Sequence, residues 1–388
     1  MPPSPDKKRV LFVDDDADVL RGLRNLLYND RARWEMVFAA DGATALELVR
    51  ERVFDVVVSD MRMPEMDGAS LLTQVRTESP ITARIMLSGH ADREAIMRAV
   101  PVLHQLLNKP CDGATLRAAI ARGCEDGLER ASRLRAAIAG VDHLPSPRSQ
   151  LAALASAIER SSTPTSEIVC LVEHDPSVAA KLLQLVNSSY FGIGRTSSIV
   201  EAVSILGIDL VRNIAATLTT PLDHEPVPEM PLAQLSVSAA RVASIVAEIV
   251  GVHTPHARAA SVLRDIGCSL LATNLTDEYR AAIAGWRGSD ESIVQVEERV
   301  LGTTHAEVGA RLLTLWGLPD ELVEIVRYHH APDRVRESLR VVTSVIHVVD
   351  SVVHPGARLD RDALARAGVA DHASGWLEIA RRELDATA

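Results

Sequence analysis

The chain is expected to fold as an α/β domain on a doubly wound, five-stranded parallel sheet, followed by an all-α domain. Three observations predict this. With 388 residues the chain exceeds the roughly 100–200 residues of one ordinary domain. Its first third alternates short apolar runs with stretches of helical spacing, and everything beyond is helical in pattern. Hydrophobic residues make up 47% and charged residues 24%, a globular balance that excludes wholesale disorder.

The apolar runs are VLFV (Val10–Val13), VFAA (Val37–Ala40), VVVS (Val56–Ser59), IMLS (Ile85–Ser88) and LHQLL (Leu103–Leu107). They are continuous rather than alternating, as parallel strands buried on both faces require. Between them, helical spacing links Val19, Leu23, Leu26 and Leu27; Ala45, Leu48 and Val49; Leu71, Leu72 and Val75; and Ala95, Ile96 and Ala99. In such a sheet the site lies beyond the carboxyl ends of the strands. The residues at those ends are Asp14, Asp15 and Asp16 after the first run, Asp60 after the third, Ser88 closing the fourth, and Lys109–Pro110 after the fifth.

Asp and Ser often cap helices, and any one of these residues alone reads that way. Their joint placement at the ends of separate strands does not. Clustered carboxylates repel one another unless a cation sits among them, and hard oxygen donors suit Mg²⁺. A carboxylate beside such an ion can attack phosphorus, with a lysine and a hydroxyl holding the phosphoryl oxygens.

VLFVDDD, SDMRMPEMDG, MLSGH and LLNKP resemble the receiver domain of two-component response regulators over residues 8–122. The resemblance implies a flavodoxin-like fold, Asp60 as phosphoacceptor, and Mg²⁺ held by Asp14, Asp15, Asp60 and the backbone carbonyl of Arg62. It also implies Ser88 and Lys109 as switch and phosphate-binding residues, and a sensor histidine kinase as partner. One departure stands out: Leu106 occupies the position where receivers commonly carry an aromatic switch residue.

Residues 123–142 read as a helical join. Leu128, Leu134 and Ile138 leave two alternatives open, a coiled coil that makes a homodimer or an amphipathic helix packed on its own domain. Pro145 and Pro147 punctuate the linker after it.

From 143 the pattern is helical. Pro164, Pro176 and Pro319 mark helix starts, and apolar residues recur through Val178–Val186, Leu206–Leu218, Val242–Val250, Val262–Leu271, Val308–Leu315 and Leu339–Val353. EHDPSVAAKLLQLVNSSYFG, LRDIG and LGTTHAEVGARLLTLWGLPDELVEIVRYHH resemble an HDOD domain over residues 143–352, with a helical extension at 353–388. HDOD domains are relatives of HD metal-dependent phosphohydrolases that generally lack the full ligand set.

An HD hydrolase needs an early His, a His-Asp pair and a later Asp. Here Asp265 is preceded by Arg264, the later acid falls at Asp350, and the early His would fall near Val237 in QLSVSAARVAS, which has none. The GYP signature of cyclic-di-GMP phosphodiesterases is absent after His329 and His330. Asp265, His305, His329, His330 and Asp350 are thus expected to form a vestigial cluster with no cofactor in this domain.

The expectation is a cytoplasmic response regulator, phosphorylated on Asp60 in the presence of Mg²⁺, whose non-catalytic HDOD domain contacts downstream signalling proteins such as kinases or cyclic-di-GMP enzymes. Two other readings stand beside it: a degenerate HD-type phosphohydrolase, and a cyclic-dinucleotide-binding effector using Arg195 and Arg212. The net charge of 41 − 52 = −11 and the 3% aromatic content argue against direct nucleic-acid binding. No apolar run nears the ~20 residues that span a bilayer. The four scattered cysteines fit a reducing compartment.

Overall fold

Continuous apolarity in the first third does produce a buried parallel sheet. In the computed structural model, β1 (Lys8–Val13), β2 (Trp34–Ala39), β3 (Val56–Asp60), β4 (Ala83–Ser88) and β5 (Gln105–Asn108) form one parallel sheet in the order β2-β1-β3-β4-β5. The structure describes residues 7–89, 93–124, 138, 148–160, 163–192, 195–218, 242–243, 245–248, 251, 255–286, 291–353 and 359–385. The helical join over 125–137, the linker prolines and the stretch around Val237 lie outside these residues. The chain forms two compact units, one centred on residues 1–142 and the other holding most of the residues after them.

The crossovers of the first unit are α1 (Ala17–Leu26), α2 (Gly42–Glu51), α3 (Gly68–Glu78), α4 (Arg93–Ala99) and α5 (Gly113–Cys124). Four of them start on an aspartate, α5 on Asp112, whose Oδ1 accepts from the Thr115 amide at 2.9 Å. Asp16, Asp41 and Asp67 accept from the amides of Asp18, Thr44 and Ser70, each satisfying an otherwise orphaned donor of a first turn. β2 begins three residues before the apolar run at Val37. It is an edge strand, so only Trp34 and Ala39 need be buried, while Glu35 pairs at 3.2 Å with Arg9 on β1.

The second unit contains no strand among its described residues. Its helices are α6 (Arg148–Glu159), α7 (Thr165–Glu173), α8 (Pro176–Val186), α9 (Ile199–Leu206), α10 (Ile208–Leu218), α11 (Pro255–Leu263), α12 (Ile266–Asn274), α13 (Thr276–Trp286), α14 (Ile293–Leu301), α15 (His305–Leu315), α16 (Asp320–Tyr328), α17 (Arg340–Val353), α18 (Arg361–Arg366) and α19 (Ala370–Asp385). α8 is buried along its whole length from Ser177 to Val186.

Two of the continuous apolar runs are each divided between two helices. Leu206–Leu218 breaks at Gly207, whose φ of 77° lies where side chains are disfavoured. Val262–Leu271 breaks at Arg264 and Asp265, between α11 and α12. The extension after 353 joins the same core as α17: Leu364, Ala373, Trp376 and Ala380 pack with Val345, Val348, Val349 and Val353.

Candidate functional site

The parallel sheet brings three predicted residues to one point. β1 and β3 are neighbours, so Asp14 and Asp60 emerge side by side. Asp14 is 2% exposed and Asp60 7% exposed. From beyond β5, Lys109 reaches back: its Nζ lies 2.6 Å from Asp14 Oδ2 and also contacts Asp60 Oδ1. Burial alone would push the Lys109 ammonium down. The hydrogen bonds and charges of Asp14 and Asp60 outweigh it, so its pKa stands above the ordinary lysine value.

The other oxygens are held by backbone. Asp60 Oδ2 accepts from the Arg62 amide at 2.7 Å, and Asp14 Oδ1 from the Asp16 amide at 3.0 Å. Both carboxylates are thereby oriented without a side-chain rotor in between. Asp15 is exposed at the same strand end, and so is the Arg62 side chain. Ser88 is fully buried at the end of β4, its Oγ donating to the Gly89 carbonyl at 3.1 Å. Ser88 also offers its own carbonyl to the Lys109 amide at 2.8 Å. Leu106 is 1% exposed on β5, opposite Met86 of β4.

Gly68 lies directly against the backbone of Asp60 and Met61. A Cβ there would stand 2.1 Å from the Asp60 carbonyl oxygen, so α3 can start this close to β3 only on glycine. The Lys109–Pro110 bond is cis. Three oxygen-bearing acids around one cation fit Mg²⁺, and the residues placed to hold it are Asp14, Asp15, Asp60 and the Arg62 carbonyl.

The five acids and histidines of the second unit also meet, although they come from four different stretches of chain. Arg264 and Asp265 lie in the α11–α12 break, His305 opens α15, His329 and His330 follow α16, and Asp350 is on α17. His305 Nε2 lies 3.4 Å from His329 Nε2 and 3.1 Å from His330 Nε2. Asp265 Oδ1 is 3.8 Å from His305 Nε2 and 3.9 Å from His329 Nε2. Arg264, 1% exposed, spans the outer side: Nε to Asp350 Oδ1 at 3.0 Å, and a terminal nitrogen to Asp265 Oδ2 at 3.1 Å. The vestigial residues thus form one connected, buried network.

One member of it was not singled out from sequence. Glu297, fully buried on α14, accepts from both the amide and Nδ1 of His305 at 2.9 and 2.7 Å. The signal was available: Glu297 stands four residues from Ile293 and from Leu301, on the apolar stripe rather than off it. His347 of α17, the histidine of HVVD, borders the network as well. Its Nε2 accepts from the Asp360 amide at 3.1 Å, which leaves its Nδ1–H to donate to the His329 carbonyl at 2.9 Å.

These environments separate the histidines electrostatically. Burial would push His305 down, but Glu297, then Asp265 and Asp350, overcome it and carry its pKa up to about 9. Burial and the neighbouring His305 push His329 down to about 4, and burial with His329 lowers His330 well below the ordinary range. Burial also lowers His347. Arg195 and Arg212, the residues of the cyclic-dinucleotide reading, pair instead with Asp320 at 3.1 Å and Asp209 at 2.9 Å.

An open parallel sheet with an acid–lysine pocket at its carboxyl edge, joined to a helical domain with a His–Asp centre, defines a receiver-type signalling protein. Comparison with known families agrees: the family model of the response regulator receiver domain matches residues 10–121, and that of the HDOD domain matches residues 144–332. The chain carries a response regulator receiver domain at its N-terminal side and an HDOD domain after it.

Among curated proteins, a two-component response regulator of Arabidopsis thaliana is 45% identical over 94 residues, which are 24% of this chain and 16% of that protein. The transcriptional regulatory protein ZraR of Escherichia coli O157:H7 is 34% identical over 116 residues, 30% of this chain and 26% of that one. The chain thus spans only about a sixth to a quarter of the length of these relatives. A solved virulence factor of Campylobacter jejuni shares the fold at a TM-score of 0.53 with 17% identity, covering 67% of this chain and 98% of that one. Among the described residues no helix is long and apolar enough to cross a membrane.

Proposed function

We propose that a sensor histidine kinase phosphorylates this protein on Asp60, and that the HDOD domain reads the change as a non-catalytic interaction module. The observation that carries the reading is the Lys109 ammonium shared between Asp14 and Asp60. A carboxylate oxygen of Asp60 forms the new O–P bond while the P–N bond of the donor phosphohistidine breaks, and the departing imidazole takes its proton from solvent. Mg²⁺, where bound, neutralises the phosphoryl oxygens. The chain's own residues do the rest. The Arg62 amide fixes Asp60 through Oδ2, Lys109 pairs with the added phosphoryl charge, and Ser88, one residue past the partner of Asp60 on the neighbouring strand, is the hydroxyl that donates to it.

Non-catalytic output is supported by Arg264. A guanidinium hydrogen-bonded to Asp350 and ion-paired with Asp265 stands where the HD hydrolases need a His, and a cation is a poor neighbour for a pair of metal ions. The downstream partners are signalling proteins, kinases or cyclic-di-GMP enzymes among them, met in the cytoplasm.

The test is intact mass after incubation with a small phosphodonor and Mg²⁺. Wild type should gain one phosphoryl group, and Asp60→Asn none. Equal incorporation by both proteins would sink the assignment of Asp60. A parallel hydrolysis screen with nucleotides and cyclic-di-GMP should show no turnover, and turnover abolished by His305→Gln would overturn the non-catalytic reading.

A further inference from the structure

We propose that the HDOD domain binds one divalent transition-metal ion, Zn²⁺ in preference to Mg²⁺, through His305 Nε2, His329 Nε2, His330 Nε2 and Asp265 Oδ1. Spacing is the first argument. Tetrahedral ligands at about 2.0–2.1 Å from Zn²⁺ lie about 3.3 Å from one another. Four of the six edges are 3.1, 3.4, 3.8 and 3.9 Å, close to that spacing.

The second argument is tautomer. His329 Nδ1 lies 2.7 Å from the Val326 carbonyl, which can only accept, so the ring proton sits on Nδ1 and Nε2 presents a lone pair. His305 Nδ1 faces Glu297 Oε2 at 2.7 Å, the carboxylate–histidine arrangement that orients metal-binding imidazoles. Lone pairs aimed at one point from 3.1–3.4 Å apart are unfavourable unless a cation or a proton on His305 stands between them.

Charge supplies the third argument. The centre buries three carboxylates, Asp265, Asp350 and Glu297, against one guanidinium, Arg264. With the proton of His305 displaced and all imidazoles neutral, that leaves −3 + 1 = −2, which one divalent ion cancels. Donor softness selects the ion: three imidazoles suit zinc, and the Cys268 thiol falls in the same donor group as Asp265 and His305. His330, with 20% of its side chain exposed, gives the ion its way in.

This ligand set shares only Asp265 with the His, His-Asp and Asp set expected of an HD hydrolase. Four protein ligands close the shell and leave no position for a reactive water, so the ion is structural and compatible with a non-catalytic domain. It ties the α11–α12 break to the start of α15 and the end of α16.

The experiment uses the full-length protein, stripped with a chelator and titrated with Co²⁺ and Zn²⁺ in millimolar Mg²⁺ to hold the receiver pocket. Wild type should retain one Zn²⁺ per chain after desalting, and Co²⁺ should give the intense visible bands of four-coordinate nitrogen-rich sites. His330→Gln, the most accessible ligand, should weaken Zn²⁺ binding at least ~10-fold with unchanged far-UV circular dichroism. Glu297→Gln, which removes only the orienting carboxylate, should weaken it less. Zn²⁺ held equally by wild type and His330→Gln means surface histidines only and overturns the proposal. So does a folded wild type that takes up no Zn²⁺, in which case a proton on His305 fills the centre.

Discussion

Lys109 holds two nearly buried carboxylates with one ammonium, and that balance sets what its removal does. Its raised pKa means the contribution is complete below the unfolded lysine value near 10.5 and is lost only above it, so at pH 7 the full effect is present. Lys109→Met leaves Asp14 and Asp60 facing each other, and the receiver should lose about 3 kcal/mol in Mg²⁺-free buffer. Millimolar Mg²⁺ should restore more stability to the variant than it adds to wild type, read by hydrogen exchange in the β1 and β3 peptides. The histidine centre responds to pH on both sides when the protein is metal-free. His329, lowered to about 4, contributes stability above its unfolded value of 6.5 that is lost as pH falls toward 4, roughly 3 kcal/mol in all. His305, raised to about 9, contributes stability below 6.5 that is lost as pH rises through 9. Exchange protection in α15 and α16 should therefore peak near pH 6.5 in the presence of chelator. A His305→Gln variant should lose the alkaline arm and keep the acid one.

At the scale of elements, the histidine centre depends on how closely α12 approaches α15. A Cβ on Gly267 would stand 1.9 Å from the His305 carbonyl oxygen and 2.7 Å from the Gly309 amide nitrogen. Backbone cannot yield by that much, so Gly267→Ala should cost about 3 kcal/mol and swing the start of α15 outward, carrying His305 from Asp265. Loss of thermal stability together with loss of the pH peak would show that the contact positions the centre. Loss of stability alone would show that α12 and α15 separate as rigid bodies without disturbing it. The same contact explains what periodicity could and could not reveal. Apolar spacing located the helices, because each buries one stripe. It ran straight through Gly207 and through Arg264–Asp265, because buried residues flank each break, Leu206 and Leu210 at the first, Leu263 and Ile266 at the second. The second break was masked further by its own function: two charged residues inside an apolar run look like an interruption of burial, yet Arg264 is 1% and Asp265 5% exposed, each neutralising the other. The strands were legible for the opposite reason, since their continuous apolar runs are too short for buried helices.

Over the whole molecule, the two sites differ in how far the chain must travel to build them. The receiver pocket was legible because topology alone sends the carboxyl ends of adjacent parallel strands to one edge, so Asp14, Asp60 and Lys109 could be placed together before any distance was known. The histidine centre has no such rule. Its members span residues 264 to 350 on helices whose crossing angles no spacing encodes, and Glu297 enters only through packing. Two separately built sites also make signalling between the domains measurable as a coupling free energy. Beryllofluoride with Mg²⁺ stands in for the phosphoryl group on Asp60. At about 100-fold over its dissociation constant it should stabilise the receiver by about 2.7 kcal/mol. If activation reaches the HDOD domain with the usual coupling of about 1–3 kcal/mol, the thermal transition of that domain should move as well, by about 2–4 °C for each kcal/mol. Its direction reports whether phosphorylation tightens or loosens the helical domain. Asp60→Asn should abolish both movements. A receiver transition that moves while the HDOD transition stays fixed would place the output on a surface of the receiver itself, where a partner rather than the helical domain reads Asp60.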